Sequence, residues 1–177
     1  MKTLLLLLVT AAFAADSPGE RTHQVAGVFK SQSHSHWVGR NDWAGRYPSY
    51  VLLNLEDQKR PSLITVEGFP IGNHLYPDSK RFLKSMRSGP RRQRASAYAT
   101  LVIAGEKRTI WERSYPEPSK IQKTGDSNMY SVRERFVILE RDEDFIVARL
   151  KGPLDKFEDN AKEFDEFLSS FKLLPTR

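Results

Sequence analysis

A layered α+β sandwich, with an antiparallel sheet and helices packed on it, is the fold class that three stretches of this sequence predict. In the last third of the chain, strand-like runs over 132–140 and 145–151 flank a polar tip, Arg141-Asp142-Glu143-Asp144, and lead into a helix. Its apolar residues Leu154, Phe157, Ala161, Phe164, Leu168 and Phe171 recur every three or four positions, so they share one face that must be buried, and the two strands supply the nearest sheet. Further upstream, 95–104 and 107–115 read as a hairpin across Gly105-Glu106, with Tyr98, Thr100 and Val102 on one face and Ala99, Leu101 and Ile103 on the other. Both faces are semi-apolar, which predicts a sheet covered on both sides. Between these regions and the N-terminal part, 77–86 has a helical pattern with Asp78 or Ser79 near its start and Gly89-Pro90 ending it, and Phe82, Leu83 and Met86 form the inward face.

In chain order, Met1-Lys2, the apolar run from Leu4 to Val9 and the small residues Ala12-Phe13-Ala14 have the parts of a secretory signal peptide over 1–14. The run is too short to span a bilayer. Residues 15–24 then read as a flexible mature N-terminus and 25–174 as a single domain. Within it, 25–30 reads as a first short strand and 31–48 as a long polar and aromatic loop. Residues 50–55 and 63–69 read as two strands that pair across a turn at 57–61. A Pro, Ser and Gly rich linker over 116–128 feeds the final hairpin, and Gly152-Pro153 breaks the chain ahead of the last helix.

Composition narrows the function classes. There is no cysteine, which excludes disulfides and thiol chemistry, and no Asn-x-Ser/Thr sequon. The expectation is an exported protein, periplasmic or extracellular, with no transmembrane segment in the mature chain; nucleic acid is a poor partner for such a protein. The formal net charge is +6, unevenly spread. No acid lies between Asp78 and Glu106, whereas Lys80, Arg81, Lys84, Arg87, Arg91, Arg92 and Arg94 all fall inside fifteen residues of that interval. The C-terminal helix carries Asp155, Glu158, Asp159, Glu163, Asp165 and Glu166 against Lys156 and Lys162, which predicts an electrically lopsided molecule.

The order strand, loop, two strands, helix, four antiparallel strands and terminal helix resembles the Mog1/PsbP-like family. The residues carrying the resemblance are Gly27-Val28-Phe29, Trp37, Tyr50-Val51-Leu52-Leu53, Ile64-Thr65-Val66-Glu67, the strand pair at 136–139 and 145–150, and Phe164 to Phe171 with its Phe-Leu-Ser-Ser-Phe. The resemblance implies an α-β-α sandwich that serves as a non-enzymatic binding or assembly module, with no shared catalytic motif to carry over. The very basic middle helix departs from the photosynthetic branch.

Three constellations offer specific chemistry. The basic segment Lys80, Arg81, Lys84, Arg87, Arg91, Arg92 and Arg94 suits an acidic protein face or an anionic envelope component such as lipid headgroups or polysaccharide, and reads equally as a solvated helix face. In the expected loop, Trp37, Arg40, Trp43, Arg46 and Tyr47 suit a sugar or planar ligand, since indole rings give a flat apolar face and polar neighbours fix orientation; the competing reading makes Trp37 a core residue. His34 and His36, one residue apart, with Asp42, are candidate ligands for zinc or copper, because a chain without thiols must use imidazole and carboxylate. Enzyme signatures are missing: there is no Gly-x-Ser-x-Gly, no phosphate-binding glycine loop and no His-Glu-x-x-His. Glu67, Glu112 and Glu134 lie on strands but have no spacing that requires an acid-base pair.

Overall fold

Alternation of side chains along the penultimate strand organises the molecule, seen here in a computed structural model that describes residues 19–25, 27–42, 49–56, 60–88, 93–118 and 129–175. Among these residues a small sheet comprises β1 (Glu20–Val25), β2 (Phe29–His34) and the two-residue β10 (Lys172–Leu173), in the order β1-β2-β10. A larger sheet comprises β3 (Trp37–Asp42), β4 (Ser49–Asn54), β5 (Leu63–Pro70), β6 (Ser96–Ile103), β7 (Glu106–Pro118), β8 (Met129–Glu140) and β9 (Asp144–Pro153). Its order is β3-β4-β5-β9-β8-β7-β6, with every pairing antiparallel. Helices α1 (Ser79–Met86) and α2 (Phe157–Ser169) complete the described elements.

On β9, Phe145 and Val147 point to one face of the large sheet, where they pack with Phe69, Phe136 and Phe82 of α1. Ile146, Ala148 and Leu150 point to the other face and pack with Phe157, Ala161, Phe164, Phe167 and Leu168 of α2. A strand's two-residue period therefore sorts its core residues into two layers, and α1 and α2 lie on opposite sides of the sheet. The small sheet closes over the α2 layer: Phe29 stacks on Phe171 at 4.9 Å, and the Ser31 hydroxyl donates to the Phe167 carbonyl at 2.6 Å. Burying phenylalanines such as these contributes about 2–3 kcal/mol each, so the aromatic layer is the main source of cohesion in a chain with no disulfide.

The strand pairs 50–55/63–69, 95–104/107–115 and 132–140/145–151, the middle helix and the terminal helix are all present, which bears out the α+β sandwich. The N-terminal part differs from expectation. The segment 25–30 is not one strand: Val25 ends β1 and Phe29 begins β2, with Gly27 at φ 73° and the Val28 amide donating to the Val25 carbonyl between them. Residues 20–24, expected to be flexible, form β1, and the expected 31–48 loop contains most of β2 and all of β3. Hydropathy hides these strands because the buried positions of β2 after Phe29 are Ser31 and Ser33, and that of β1 is His23, all polar and hydrogen-bonded.

The smaller corrections have equally local causes. Leu154 is half exposed because it precedes the first turn of α2, and Phe167 joins the core beside the expected residues. Gly152-Pro153 does not break the chain but ends β9, where Pro is tolerated at a strand terminus and Gly152 meets Ser62; a Cβ there would lie 2.4 Å from Ser62 Oγ. The β6–β7 turn falls one residue early, at Ala104 and Gly105, both with positive φ as a two-residue hairpin turn requires. Finally, β6 is the sheet edge and is not covered on both sides: Tyr98 and Val102 are 56% and 60% exposed. The expected 116–128 linker begins inside β7, which runs to Pro118, and the rest of it, like the expected signal peptide, lies outside the described residues.

Candidate functional site

Helix α1 begins where the Asp78 carboxylate accepts from the Arg81 amide at 2.7 Å, the N-cap arrangement that satisfies an otherwise orphan donor. Phe82 is buried against Phe69, Tyr76 and Phe145, which turns Lys80, Arg81, Lys84 and Arg87 outward. Lys80, Arg81 and Lys84 form no ion pair among the described residues, and the Arg87 guanidinium lies over the Trp111 ring at 5.5 Å. Arg94 is exposed beyond the helix; Arg91 and Arg92 lie outside the described residues.

An open groove runs along this helix, lined in part by Leu75, Tyr76, Arg81, Lys84 and Ser88. Its apolar rim is held firmly: the Asn73 side chain accepts from the Leu75 and Tyr76 amides at 3.0 and 2.8 Å and donates to the Pro70 carbonyl at 2.8 Å. Gly72 supplies the positive φ of 79° that this turn needs. Leu75 consequently stands exposed at 53% in the groove that Arg81, Lys84 and the capping Asp78 also line.

Several cations on the sheet strands have partners among the described residues. On the α1 face, Glu134 is fully buried; Arg113 Nε donates to its Oε2 at 2.5 Å and Arg149 Nε lies 3.0 Å from its Oε1. Arg149 reaches Glu67 at 3.1 Å and Lys151 donates to Glu117 at 2.7 Å. On the α2 face, Arg135 donates to Glu112 at 2.7 Å and to Asp165 at 2.8 Å. Burial pushes the Asp165 carboxyl up while Arg135 pulls it down, leaving it raised from its ordinary value. Glu67 and Glu134 therefore share one face and Glu112 occupies the other, and each is held by arginine. The sequence signal for this ladder is the run Arg133-Glu134-Arg135, which sends charge to both faces of β8.

The aromatic constellation does not form as expected. Trp37 is fully buried and its indole N–H donates to Glu163 at 2.5 Å, so it is core and offers no face to a ligand. Arg40 is exposed on β3, while Trp43, Arg46 and Tyr47 lie outside the described residues. Nor is the expected His34, His36 and Asp42 ligand set assembled. Asp42 pairs with Ser49 at the far end of β3, a strand length of roughly 17 Å from the β2–β3 turn. The imidazoles stack with centroids 5.8 Å apart, and each points Nε2 at its own carboxylate on α2: His34 at Glu166 and His36 at Glu163, both at 2.8 Å. Among the described residues no group of three His, Cys, Asp or Glu is placed to hold a metal. The hydrogen bond to Glu166, aided by the charges of Glu163 and Glu20, holds the His34 pKa above its ordinary value in spite of partial desolvation.

No protein-family model matches the chain, and no curated protein matches it in sequence. Solved structures share its fold. A protein from Bacteroides thetaiotaomicron VPI-5482 is similar with a TM-score of 0.54 at 15% identity, over 86% of this chain and 47% of that one, so the chain spans about half its length. Cyanobacterial PsbP (CyanoP) from Synechocystis sp. PCC 6803 has a TM-score of 0.51 at 13% identity, covering 93% of this chain and 98% of that one. LpqN of Mycobacterium tuberculosis, described as involved in cell envelope biogenesis, has a TM-score of 0.48 at 11% identity, covering 88% and 91%. The chain has the Mog1/PsbP-like fold.

Proposed function

We propose that the chain is an exported, non-enzymatic binding module that docks on an anionic envelope component through the outer face of α1. The observation that carries this reading is the groove that sets Arg81 and Lys84, without ion-pair partners among the described residues, beside the exposed Leu75. A lipid or lipopolysaccharide surface offers phosphate for the cations and acyl chain or glycolipid backbone for the leucine. No helix among the described residues is long and apolar enough to cross a membrane, so the attachment in this reading is peripheral. The carboxylates that might otherwise do acid-base work are tied to arginines, which favours a binding role. The test is flotation with phosphatidylglycerol vesicles against phosphatidylcholine vesicles. The protein is expected to float with the anionic vesicles only and to be released as salt rises, since exposed charges are screened. Flotation that persists unchanged after simultaneous reversal of Lys80, Arg81, Lys84 and Arg87 to Glu would sink the proposal.

A further inference from the structure

The strand at one edge of the large sheet lacks the charges and prolines by which edges are usually blunted, and its bulge between Ala97 and Ala99 leaves 99–103 regular. Strand β6, Ser96-Ala97-Tyr98-Ala99-Thr100-Leu101-Val102-Ile103, contains no charged residue and no proline, and among the described residues it pairs with β7 alone. The other edges differ. β3 carries Arg40 and Asp42, β1 carries Glu20 and Arg21, and β10 is two residues long and includes Lys172. Charges and short length are what keep a sheet edge from acquiring another strand. Only β6 keeps a long, β-prone and apolar edge, with Val102 60% exposed.

We infer that β6 is a self-association edge, at which a second copy of this chain adds its own β6 antiparallel across a twofold axis. The sequence of the strand is self-complementary in that arrangement. A bulge between Ala97 and Ala99 interrupts the register with β7, so the regular segment is 99–103, and its midpoint is Leu101. A twofold at Leu101 sets Leu101 against its copy, Thr100 against Val102 and Ala99 against Ile103. Every pair is uncharged and contains a branched side chain, so no like charges meet, and the exposed valine gains a β-branched neighbour on its own face. Flanking charge does not oppose the approach on the α2 side. On α2, Glu158 and Asp165 are ion-paired with Arg133 and Arg135, and the Arg135 guanidinium in turn lies 4.3 Å from the Tyr98 ring of β6. The acids that face away, Glu163 and Glu166, are turned toward His36 and His34. A foreign strand would also find unsatisfied backbone groups here, but the preformed match of 99–103 to itself needs no ordering of a flexible segment.

The absence of cysteine gives a direct test. Sedimentation equilibrium over a dilution series should show the wild type converting between one and two chain masses, and Val102→Lys and Thr100→Lys, both at exposed positions, should remain monomeric throughout with unchanged circular dichroism. A single Leu101→Cys should form a disulfide-linked dimer under mild oxidation much faster than a Thr109→Cys control on β7. A wild type that stays monomeric, lysine variants that still dimerise, or cross-linking at Leu101→Cys no faster than the control would each overturn the inference.

Discussion

His34 is the residue whose surroundings make the clearest solution-state claim. Its Nε2 lies 2.8 Å from Glu166, with Glu163 and Glu20 adding negative potential, and these favour the imidazolium over the neutral ring. Because the folded pKa is raised above 6.5, the contact adds stability that is fully present below the unfolded value and is lost as pH rises through the folded one. Imidazole resonances followed by NMR should therefore give His34 a midpoint above 6.5, and Glu166→Gln should lower it. A midpoint unmoved by that substitution would mean that Glu166 is not the dominant partner. At this scale the sequence is only half legible. The two histidines one residue apart are visible, but their partners lie more than a hundred residues away on α2, and spacing alone makes a metal pair and two separate carboxylate tethers look the same. Trp37 shows the same limit, since a tryptophan among polar residues reads as a ligand platform until the buried Glu163 contact appears.

At the scale of elements, the signals that survive are those in which hydrophobic period and burial coincide. The α2 seam and the β8–β9 hairpin meet that condition and fall where periodicity places them. Strands β1 and β2 do not, because their inward positions include His23, Ser31 and Ser33, satisfied by hydrogen bonds and not by apolar contact. The seam itself is shifted at its first member: Leu154 continues the three-and-four spacing but sits in the turn, whereas Phe167, outside the strict spacing, is fully buried. Urea unfolding should separate the two. Phe167→Ala should cost about 3–5 kcal/mol, the usual loss for a large core aromatic, and Leu154→Ala within about 0.5 kcal/mol, as for a surface change. Comparable losses at both sites would place Leu154 back in the core and overturn the register of the helix described here.

For the whole molecule, the decisive feature is that the two oppositely charged helices lie on opposite faces of one sheet. Each helix packs roughly 10 Å from the sheet, which puts the basic surface of α1 roughly 20 Å from the acidic surface of α2. That distance is about twice the Debye length of ~8 Å at physiological salt, so the acids cannot cancel the field of the cations, and the ion-paired sheet between them adds little net charge. A molecule of this kind should meet an anionic surface in one orientation, α1 inward and α2 outward, if the docking proposal holds. The absence of cysteine again permits a clean measurement: a fluorophore on Ser88→Cys, beside the α1 groove, and one on Lys162→Cys, on the exposed face of α2. On phosphatidylglycerol vesicles the Ser88→Cys label should shift to the blue and be shielded from an aqueous quencher, while the Lys162→Cys label should keep its free-solution accessibility. Equal shielding of the two labels would rule out a preferred orientation. Shielding of Lys162→Cys alone would place the contact on the acidic face and require a cationic partner in place of an anionic one.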